Sequence, residues 1–389
     1  MESHKGTLKL TLLLVSSLTI MSIITISPAL PQITAAYSDV PNADFLVKLV
    51  LTIPALTIAL FSPITGRLID QYGRLKILWF ALGLYAISGS AGYYLNNLYE
   101  LLISRALLGM SVGMSMTIVI TLIADYFEGA ERQKFVGIQI AFMSLGGILF
   151  IGLGGVLADI SWRHPFLIYL FALVVLPLSI LYLKEPVRAG RGPAEMTKRK
   201  APSILWLLFI NTMVMWIIFF LIPVQIPFYL KSIGIEKKAL IGAAIAMSTA
   251  FSAVSSILYS KIKTHFSFTA IFSMGYLLMG VGFATIAFSS TYSMVVVAMM
   301  VTGLGMGMMI PNTNMLVMKI APPEIRGKEI GKLTTFWFFG QFLSPIIIFP
   351  ILLTYSLSTT FLIATGLLLG LSIGFLIFYF TKTEQKLFA

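Results

Sequence analysis

The chain contains no cysteine and few charged residues. The absence of cysteine from its 389 residues excludes disulfides, thiolate metal sites and cysteine nucleophiles. Only 11% of the residues are charged and 58% are hydrophobic, whereas soluble domains average about a quarter charged and about half apolar. The three histidines, His4, His164 and His265, all lie near predicted loops or ends, and no nucleophile–base pair stands out. We therefore predict no enzymatic activity, no cofactor and no bound metal.

What the chain has instead is a series of long apolar runs. A helix needs about 20 apolar residues to cross a bilayer, and backbone polar groups in lipid must be satisfied within the segment. We predict an all-α membrane protein with twelve transmembrane helices, the first of them retained as a span, because it is too long for a signal peptide. The spans lie at approximately 9–36, 44–69, 75–95, 98–124, 134–157, 164–183, 203–230, 239–262, 268–288, 292–318, 329–353 and 359–381.

The distribution of positive charge predicts the orientation. With both termini in the cytoplasm, the outer loops hold only five of the 27 lysines and arginines: Lys48, Arg163, Lys231, Lys237 and Lys238. Basic residues collect on the cytoplasmic side of membrane proteins. We therefore expect a multi-pass protein of the cell membrane with both termini cytoplasmic. The net charge of +12 is explained by this asymmetry, and no nucleic-acid partner is expected.

The two halves of the chain share landmarks at a constant offset of 194 residues. Gly109 and Gly113 correspond to Gly303 and Gly307, and the same offset relates Arg132 to Arg326, Lys134 to Lys328, Gly137 to Gly331 and Gly146 to Gly340. We predict a six-helix bundle at 1–183, a cytoplasmic linker at 184–202 and a second six-helix bundle at 203–389. The basic linker either lies against anionic headgroups or is a plain solvated loop.

The loop after the second span, "GRLIDQYGRLKIL" from residue 66 to 78, is polar and patterned. Gly66 would allow a neighbouring helix to approach closely, and Gly73 permits a sharp turn. Asp70 would be stabilised beside the N-terminus of another helix, and Arg74 can pair with Asp125 at the inner end of the fourth span. Ordinary positive-inside chemistry would explain the arginines and the lysine, but not the aspartate or the glycines.

This loop fits the pattern G-x-L-x-D-x-x-G-R-x-K, and over nearly its whole length the chain resembles the major facilitator superfamily. The resemblance implies transport by alternating access between two halves. It also implies that Asp70 meets the eleventh helix, which begins near Lys328. The loop then acts as a conformational latch that holds the outward-open state and breaks when the inside opens.

Arg105 lies inside the fourth span, where a charge is expensive and usually functional. Together with Gly109 and Gly113 it resembles the helix 4 motif of the twelve-span drug:proton antiporters, which implies that the arginine lies in the cavity and is linked to proton movement. We expect Gln32 and nearby carbonyls of the first helix to bind the guanidinium. The alternative is that Arg105 extends to the outer interface.

Two departures from that branch bear on the substrate. The fifth span carries Phe150 and Ile151 where the exporters have a glycine-proline pair, which weakens the inference of export. No aspartate or glutamate lies in the middle of any span, and we expect no buried carboxylate. A neutral, zwitterionic or anionic substrate near Arg105 is therefore favoured over a cation.

The fold that the resemblance implies lines its central path with helices 1, 4, 7 and 10, and helices 2, 5, 8 and 11 contribute. We favour Asn312 over Asn314 for the cavity, because residues two apart point about 200° apart around a helix. The candidate residues of the substrate cavity are Asn211, Trp216, Gln225, Tyr229, Asn312, Phe336, Trp337, Gln341 and Gln139.

The leading hypothesis is proton-coupled secondary active transport that exports amphipathic or lipophilic small molecules, as in multidrug efflux. We expect the partners to be the substrate, protons and the lipid bilayer, with the chain acting as a monomer. Three alternatives stay open. The protein could export one specific metabolite, such as a sugar, an amino-acid derivative or a siderophore. It could be a proton-independent facilitator or importer, or a membrane sensor or intramembrane enzyme.

Overall fold

The structure is a computed structural model that describes residues 2–186 and 201–381. Within these residues twelve helices are long and apolar enough to cross a membrane, and no strand occurs among them. The prediction of an all-helical membrane protein is confirmed. Most of the predicted linker, residues 187–200, lies outside the described residues. The helices are α1 Gly6–Ala36, α2 Ala43–Tyr72, α3 Arg74–Tyr93, α4 Leu98–Tyr126, α5 Gly129–Ile160, α6 His164–Tyr182, α7 Ile204–Ser232, α8 Lys238–His265, α9 Phe268–Ala287, α10 Tyr292–Ile320, α11 Pro323–Thr354 and α12 Leu357–Phe380.

The chain divides into two compact units. Among the described residues, the first unit holds 2–186 together with Lys237–Gly242, the first turn of α8, and the second holds 201–236 and 243–381. In the first unit α4 packs against α2 and α3, and α1 packs against α5. In the second unit α9 packs against α10 and α12, and α11 packs against α7. The domain boundaries drawn from the sequence stay predictions.

Glycines let paired helices approach closely inside each unit. A Cβ atom added at Gly113 would lie 3.3 Å from the Cα of Ile58 on α2, and one added at Gly307 would lie 2.7 Å from the Cα of Ser252 on α8. The neighbouring glycines make the same kind of contact, Gly109 with Pro54 and Gly303 with Ser248. The contacted residues are themselves 194 positions apart, so the internal repeat extends from the glycines to the helices against which they pack.

Several helices are interrupted or capped where the sequence requires it. α1 consists of a helix that ends at Ile24, a 3-10 turn over Ser27–Ala29 and a second short helix. Pro54 and Pro63 lie inside α2, where each proline leaves one carbonyl of the preceding turn without its usual N–H partner. Asn97 caps α4 by accepting a hydrogen bond from the N–H of Tyr99, as asparagine commonly does. The interruptions in α1 and α2 determine where Arg105 can bind.

Candidate functional site

Arg105 is completely buried inside the first unit. Its Nη2 donates to the carbonyl oxygen of Ser22 at 2.7 Å and to the hydroxyl of Tyr169 at 3.1 Å, and its Nε donates to the carbonyl oxygen of Val50 at 3.3 Å. The guanidinium carbon lies 4.9 Å from the ring centroid of Tyr169 and 5.9 Å from that of Phe166. Neutral oxygens and aromatic faces therefore stabilise this cation, and no carboxylate of the described residues pairs with it.

The backbone of α1 and α2 explains why these carbonyls are available. The carbonyl of Val50 would normally accept from the N–H of residue 54, which is proline and has none. Ser22 lies in the last turn of the helix that ends at Ile24, and carbonyls in a last turn have no regular partner further along the helix. Arg105 therefore binds oxygens that the helices leave free, which offsets part of the cost of burying its charge.

We expected carbonyls of the first helix to bind Arg105, and the carbonyl of Ser22 confirms this. The prediction that the side chain of Gln32 also binds Arg105 was wrong. With its amide turned over, Gln32 donates to the carbonyl oxygen of Ala158 at 3.1 Å and accepts from Nζ of Lys238 at 3.3 Å. The break in α1 separates the turn of Ser22 from that of Gln32, so the two residues do not share one regular helical face. The surface alternative for Arg105 is excluded by its complete burial.

A cavity of about 280 Å³ opens in the first unit between α1, α4 and α5. Gln139, predicted as a cavity residue, lines it, and its Nε2 donates to Oγ of Ser16 at 2.8 Å. The cavity wall is otherwise mostly apolar, and its lining residues are Ser16, Thr19, Met116, Val119, Ile120, Ile123, Arg132, Val136, Gln139, Ile140 and Met143. A mostly apolar cavity with a few polar groups is the usual form of a small-molecule site.

The predicted pair within the latch loop is present. Nε of Arg74 lies 2.7 Å from Oδ2 of Asp125, and Gly73 has a φ of 86°, a conformation that favours glycine. Sequence reasoning missed Glu185, whose carboxylate accepts the backbone N–H groups of Arg74 at 2.8 Å and Leu75 at 2.9 Å. Glu185 thereby caps α3, where a carboxylate also complements the helix dipole.

The proposed reason for Gly66 was wrong, and the role of Asp70 stays a prediction. A Cβ atom added at Gly66 would meet no atom within 4 Å among the described residues. No neighbouring helix therefore uses the space that this glycine leaves. Asp70 lies exposed two residues before the end of α2.

In the second unit, the indole rings of Trp216 and Trp337 stack with centroids 4.4 Å apart. Neither indole Nε1 has a hydrogen-bond partner in the described part of the chain. The same is true of both amide atoms of Gln225 and of Oε1 of Gln341, and these two glutamines are 1% and 2% exposed. Buried polar atoms usually have partners, so these four predicted residues retain unused hydrogen-bonding capacity.

Other predicted cavity residues in the second unit have structural partners. Asn312 is fully buried, accepts from the hydroxyl of Tyr259 at 3.1 Å and donates to the carbonyl of Phe268 at 3.0 Å. It therefore joins three helices and does not line a cavity, because its amide is used at both ends. Asn314, which we did not favour, lines an open cavity of about 580 Å³ between α8 and α10.

Tyr229, Asn211 and Phe336 also serve packing within the second unit. The hydroxyl of Tyr229 donates to the carbonyl of Ser289 at 2.8 Å, and the residue is 3% exposed. Oδ1 of Asn211 accepts from the hydroxyl of Tyr276 at 2.8 Å. Phe336 packs against the aromatic rings of α7, its centroid 5.6 Å from that of Phe209. The prediction that Tyr229 faces the substrate was wrong, since its ring and hydroxyl are both engaged in the core.

One buried carboxylate contradicts the sequence expectation. Glu329, in the first turn of the α-helix Arg326–Thr354, is the only buried acid among the described side chains. Both of its carboxylate oxygens accept from Nζ of Lys332, at 2.8 and 3.1 Å. That Nζ lies 5.6 Å from the ring centroid of Trp206. Its spacing of three residues from Lys332 is the pattern of an ion pair on one helix, but this spacing does not indicate that the carboxylate is buried.

Twelve helices with an internal repeat, a buried arginine in α4 and an apolar cavity are features of a membrane transporter. The profile of the Major Facilitator Superfamily matches residues 12–269 and 237–388, and the chain belongs to that superfamily. The quinolone resistance protein NorA of Staphylococcus aureus (strain COL) is 28% identical over 302 residues, which cover 75% of this chain and 77% of NorA.

Two further comparisons agree with the family. The multidrug resistance protein 1 of Bacillus subtilis (strain 168) is 37% identical over 135 residues, covering 34% of this chain and 35% of that protein. The crystal structure of a D-xylose–proton symporter aligns with a TM-score of 0.80 at 17% sequence identity, over 96% of this chain and 97% of that chain. The similarity to the D-xylose–proton symporter concerns the fold alone.

Proposed function

We propose that the protein is a proton-coupled exporter of amphipathic small molecules that works by alternating access. The observation that carries this proposal is the cavity between α1, α4 and α5, whose wall is mainly aliphatic side chains and methionines. Such a wall binds apolar bodies without demanding one shape, since methionine is flexible and polarizable. The relatives named for quinolone and multidrug resistance support the same function.

In this proposal, Glu329 carries the proton. Its carboxylate is buried, and both of its oxygens accept hydrogen bonds from Nζ of Lys332. Protonation would neutralise the acid and release Lys332, so the charge balance of the second unit would change by one. Arg105, held by neutral groups, keeps the backbones of α1, α2 and α4 joined throughout the cycle.

The charged cluster of the first unit is assigned to the conformational latch. Arg74 pairs with Asp125 and lies 3.6 Å from Glu185, so one cation faces two carboxylates. Arg74 and Asp125 are 16% and 17% exposed, and Glu185 is 42% exposed. In this proposal Arg74 exchanges these carboxylate partners during the transport cycle.

A proton-independent facilitator is the second candidate. It is favoured by the neutral surroundings of Arg105, because proton-driven transport generally needs a titratable group and only Glu329 is a buried acid among the described side chains. Transport of the same compounds without proton movement would distinguish this candidate.

The deciding experiment uses purified protein in proteoliposomes with an imposed pH gradient and an internal pH dye. Lipophilic cations, neutral aromatic compounds and zwitterions are added in turn, and the proton flux that each triggers is recorded. Several unrelated compounds should trigger flux, whereas protein-free liposomes should give none.

Arg105→Gln is the comparison variant. It should lose the hydrogen bonds that join α4 to α1 and α2, and proton flux should be lost with them. If no compound triggers proton flux but counterflow of the same compounds occurs, the protein is a proton-independent facilitator and the proposal of a proton-coupled exporter is rejected. If only one compound of the panel is active, the protein transports a specific metabolite.

A further inference from the structure

The cavity of the first unit carries a charge that the proposed function leaves unused. Arg132 lies on the wall of the cavity, and no ion pair joins its side chain to a carboxylate anywhere in residues 6–186 and 201–381. The neighbouring acid on the same helix, Glu131, is instead paired with Lys9 at 2.8 Å. Arg132 is therefore a cation without a counter-charge at the edge of an apolar cavity.

The periodicity of α5 explains how this cation and the apolar wall come together. Residues 132, 136, 139, 140 and 143 all line the cavity, and their spacing places them on one face of a helix. α4 contributes residues 116, 119, 120 and 123 with the same helical spacing. Lys134, two residues from Arg132, points about 200° away around the helix and does not line the cavity.

The polar groups of the cavity have a defined separation. Seven residues of helix separate Arg132 from Gln139, which corresponds to about 10 Å along the axis. The amide nitrogen of Gln139 donates to Ser16, and its carbonyl oxygen can accept a hydrogen bond from a substrate. Between the two ends lie Val136, Ile140 and Met143.

We propose that this cavity selects substrates with a carboxylate on an apolar body, the carboxylate bound by Arg132 and a hydrogen-bond donor at the other end of the body bound by Gln139, about two helical turns further along α5. A guanidinium binds a carboxylate through two parallel hydrogen bonds. Arg132 is exposed, so water screens part of this attraction. The inference rests on the proposed function, because it names the class of substrate that the exporter accepts.

The test measures binding, so that it does not depend on proton coupling. The probe is 4′-hydroxybiphenyl-4-carboxylate, which carries a carboxylate and a hydroxyl at opposite ends of a rigid apolar body. The matched neutral probe is the corresponding primary carboxamide. Affinities are measured by titration calorimetry with the full chain in nanodiscs of phosphatidylcholine.

The carboxylate should bind the unmodified protein up to about fivefold more tightly than the carboxamide, as expected for an ion pair at an exposed side chain. Arg132→Gln should bring the two affinities together by weakening binding of the carboxylate, and carboxamide binding that stays measurable shows that the variant is folded. Lys134→Gln removes the same charge from the opposite face and should keep the preference.

Three outcomes would overturn the inference. Equal affinities for the two probes in the unmodified protein would show that Arg132 does not read the carboxylate. If Lys134→Gln loses the preference for the carboxylate as fully as Arg132→Gln does, the preference comes from the net positive charge of this region and not from a contact with Arg132. A preference that disappears in nanodiscs containing phosphatidylglycerol would show that a lipid headgroup occupies Arg132.

These outcomes are separable from failure of the proposed function. If the carboxylate binds preferentially but no proton flux occurs, the proposed substrate class stands and the proposed proton coupling is rejected. Proton flux triggered by neutral compounds and cations, with no carboxylate preference, would retain the exporter and reject this inference.

Discussion

At the residue scale, the two buried charges discussed above are stabilised in different ways. Arg105 is surrounded by carbonyls, a hydroxyl and aromatic rings, and none of these groups changes charge near neutral pH. Glu329 faces the ammonium group of Lys332. Adding one proton to Glu329 removes an ion pair, whereas no single proton alters the surroundings of Arg105. This contrast makes Glu329 the residue at which proton coupling is best tested.

Glu329→Gln should reduce transport driven by a pH gradient about tenfold or more, because glutamine cannot gain or lose the proton. Exchange of substrate without a gradient should continue, which shows that the variant is folded. Both activities are measured in proteoliposomes.

Glu131→Gln is the matched control for that prediction. It removes another acid paired with lysine near the start of a helix, but Glu131 is 57% exposed and exposed pairs contribute little. Its driven transport should stay close to that of the unmodified protein. Driven transport that persists in Glu329→Gln would exclude Glu329 as the proton carrier.

At the scale of elements, helices pack closely where one of them carries glycine, which has no side chain. Helices in lipid gain no hydrophobic free energy from each other, so packing at small residues contributes much of their association. Gly307 approaches α8 so closely that a Cβ atom would lie 2.7 Å from the Cα of Ser252 and would collide with its carbonyl oxygen. Gly366 on α12 is exposed and has nothing within 4 Å.

Gly307→Ala should therefore lower thermal stability, since forcing an extra carbon into a packed contact costs about 1–3 kcal/mol. Gly366→Ala should be neutral or slightly stabilising, because alanine favours a helix over glycine by about 1 kcal/mol. Melting temperatures of the two detergent-purified variants give the comparison. A melting temperature for Gly307→Ala equal to that of Gly366→Ala would contradict the close approach.

At the scale of the whole molecule, the orientation in the membrane follows from the distribution of lysine and arginine. The two ends of α9 should lie on opposite sides of the membrane, because the helix is long and apolar enough to span it. Thr264 lies just before α9 and Ser290 just after it, and both are exposed. The positive-inside pattern predicts that Thr264 faces the cytoplasm and Ser290 the outside.

The absence of native cysteine makes this prediction easy to test. A membrane-impermeant maleimide applied to intact cells should label Ser290→Cys and not Thr264→Cys, and permeabilised cells should show labelling of both. Labelling of Thr264→Cys alone in intact cells would reverse the predicted topology.

Local patterns made the fold and part of the site predictable. Spans of about 20 apolar residues are continuous in the sequence, and the repeat is visible as one constant offset. The pair of Arg74 and Asp125 could be predicted because each lies at a recognisable end of a span. Gln139 could be placed on the cavity for a similar reason, since it is a polar residue on an otherwise apolar helix.

Contacts between distant turns were not predictable in this way. We predicted that Gln32 binds Arg105 because the two residues lie at a similar depth in the membrane. Depth alone does not tell which face of an interrupted helix a side chain occupies. Asn312 and Tyr229 look like cavity residues because they are polar, and their polar atoms bind groups on other helices. Glu329 was overlooked because burial depends on neighbours far away in the chain.

The sequence by itself determined that the chain has twelve runs long and apolar enough to cross a membrane and that its halves share landmarks at one offset, because these properties follow from composition, length and spacing along the chain. Its motifs gave the resemblance to the superfamily that the family profile shows. Only the tertiary structure decided which atoms bind Arg105, which asparagine is structural and which acid is buried. Those outcomes depend on contacts between side chains and backbone groups of different helices, and these contacts exist only when the helices are packed.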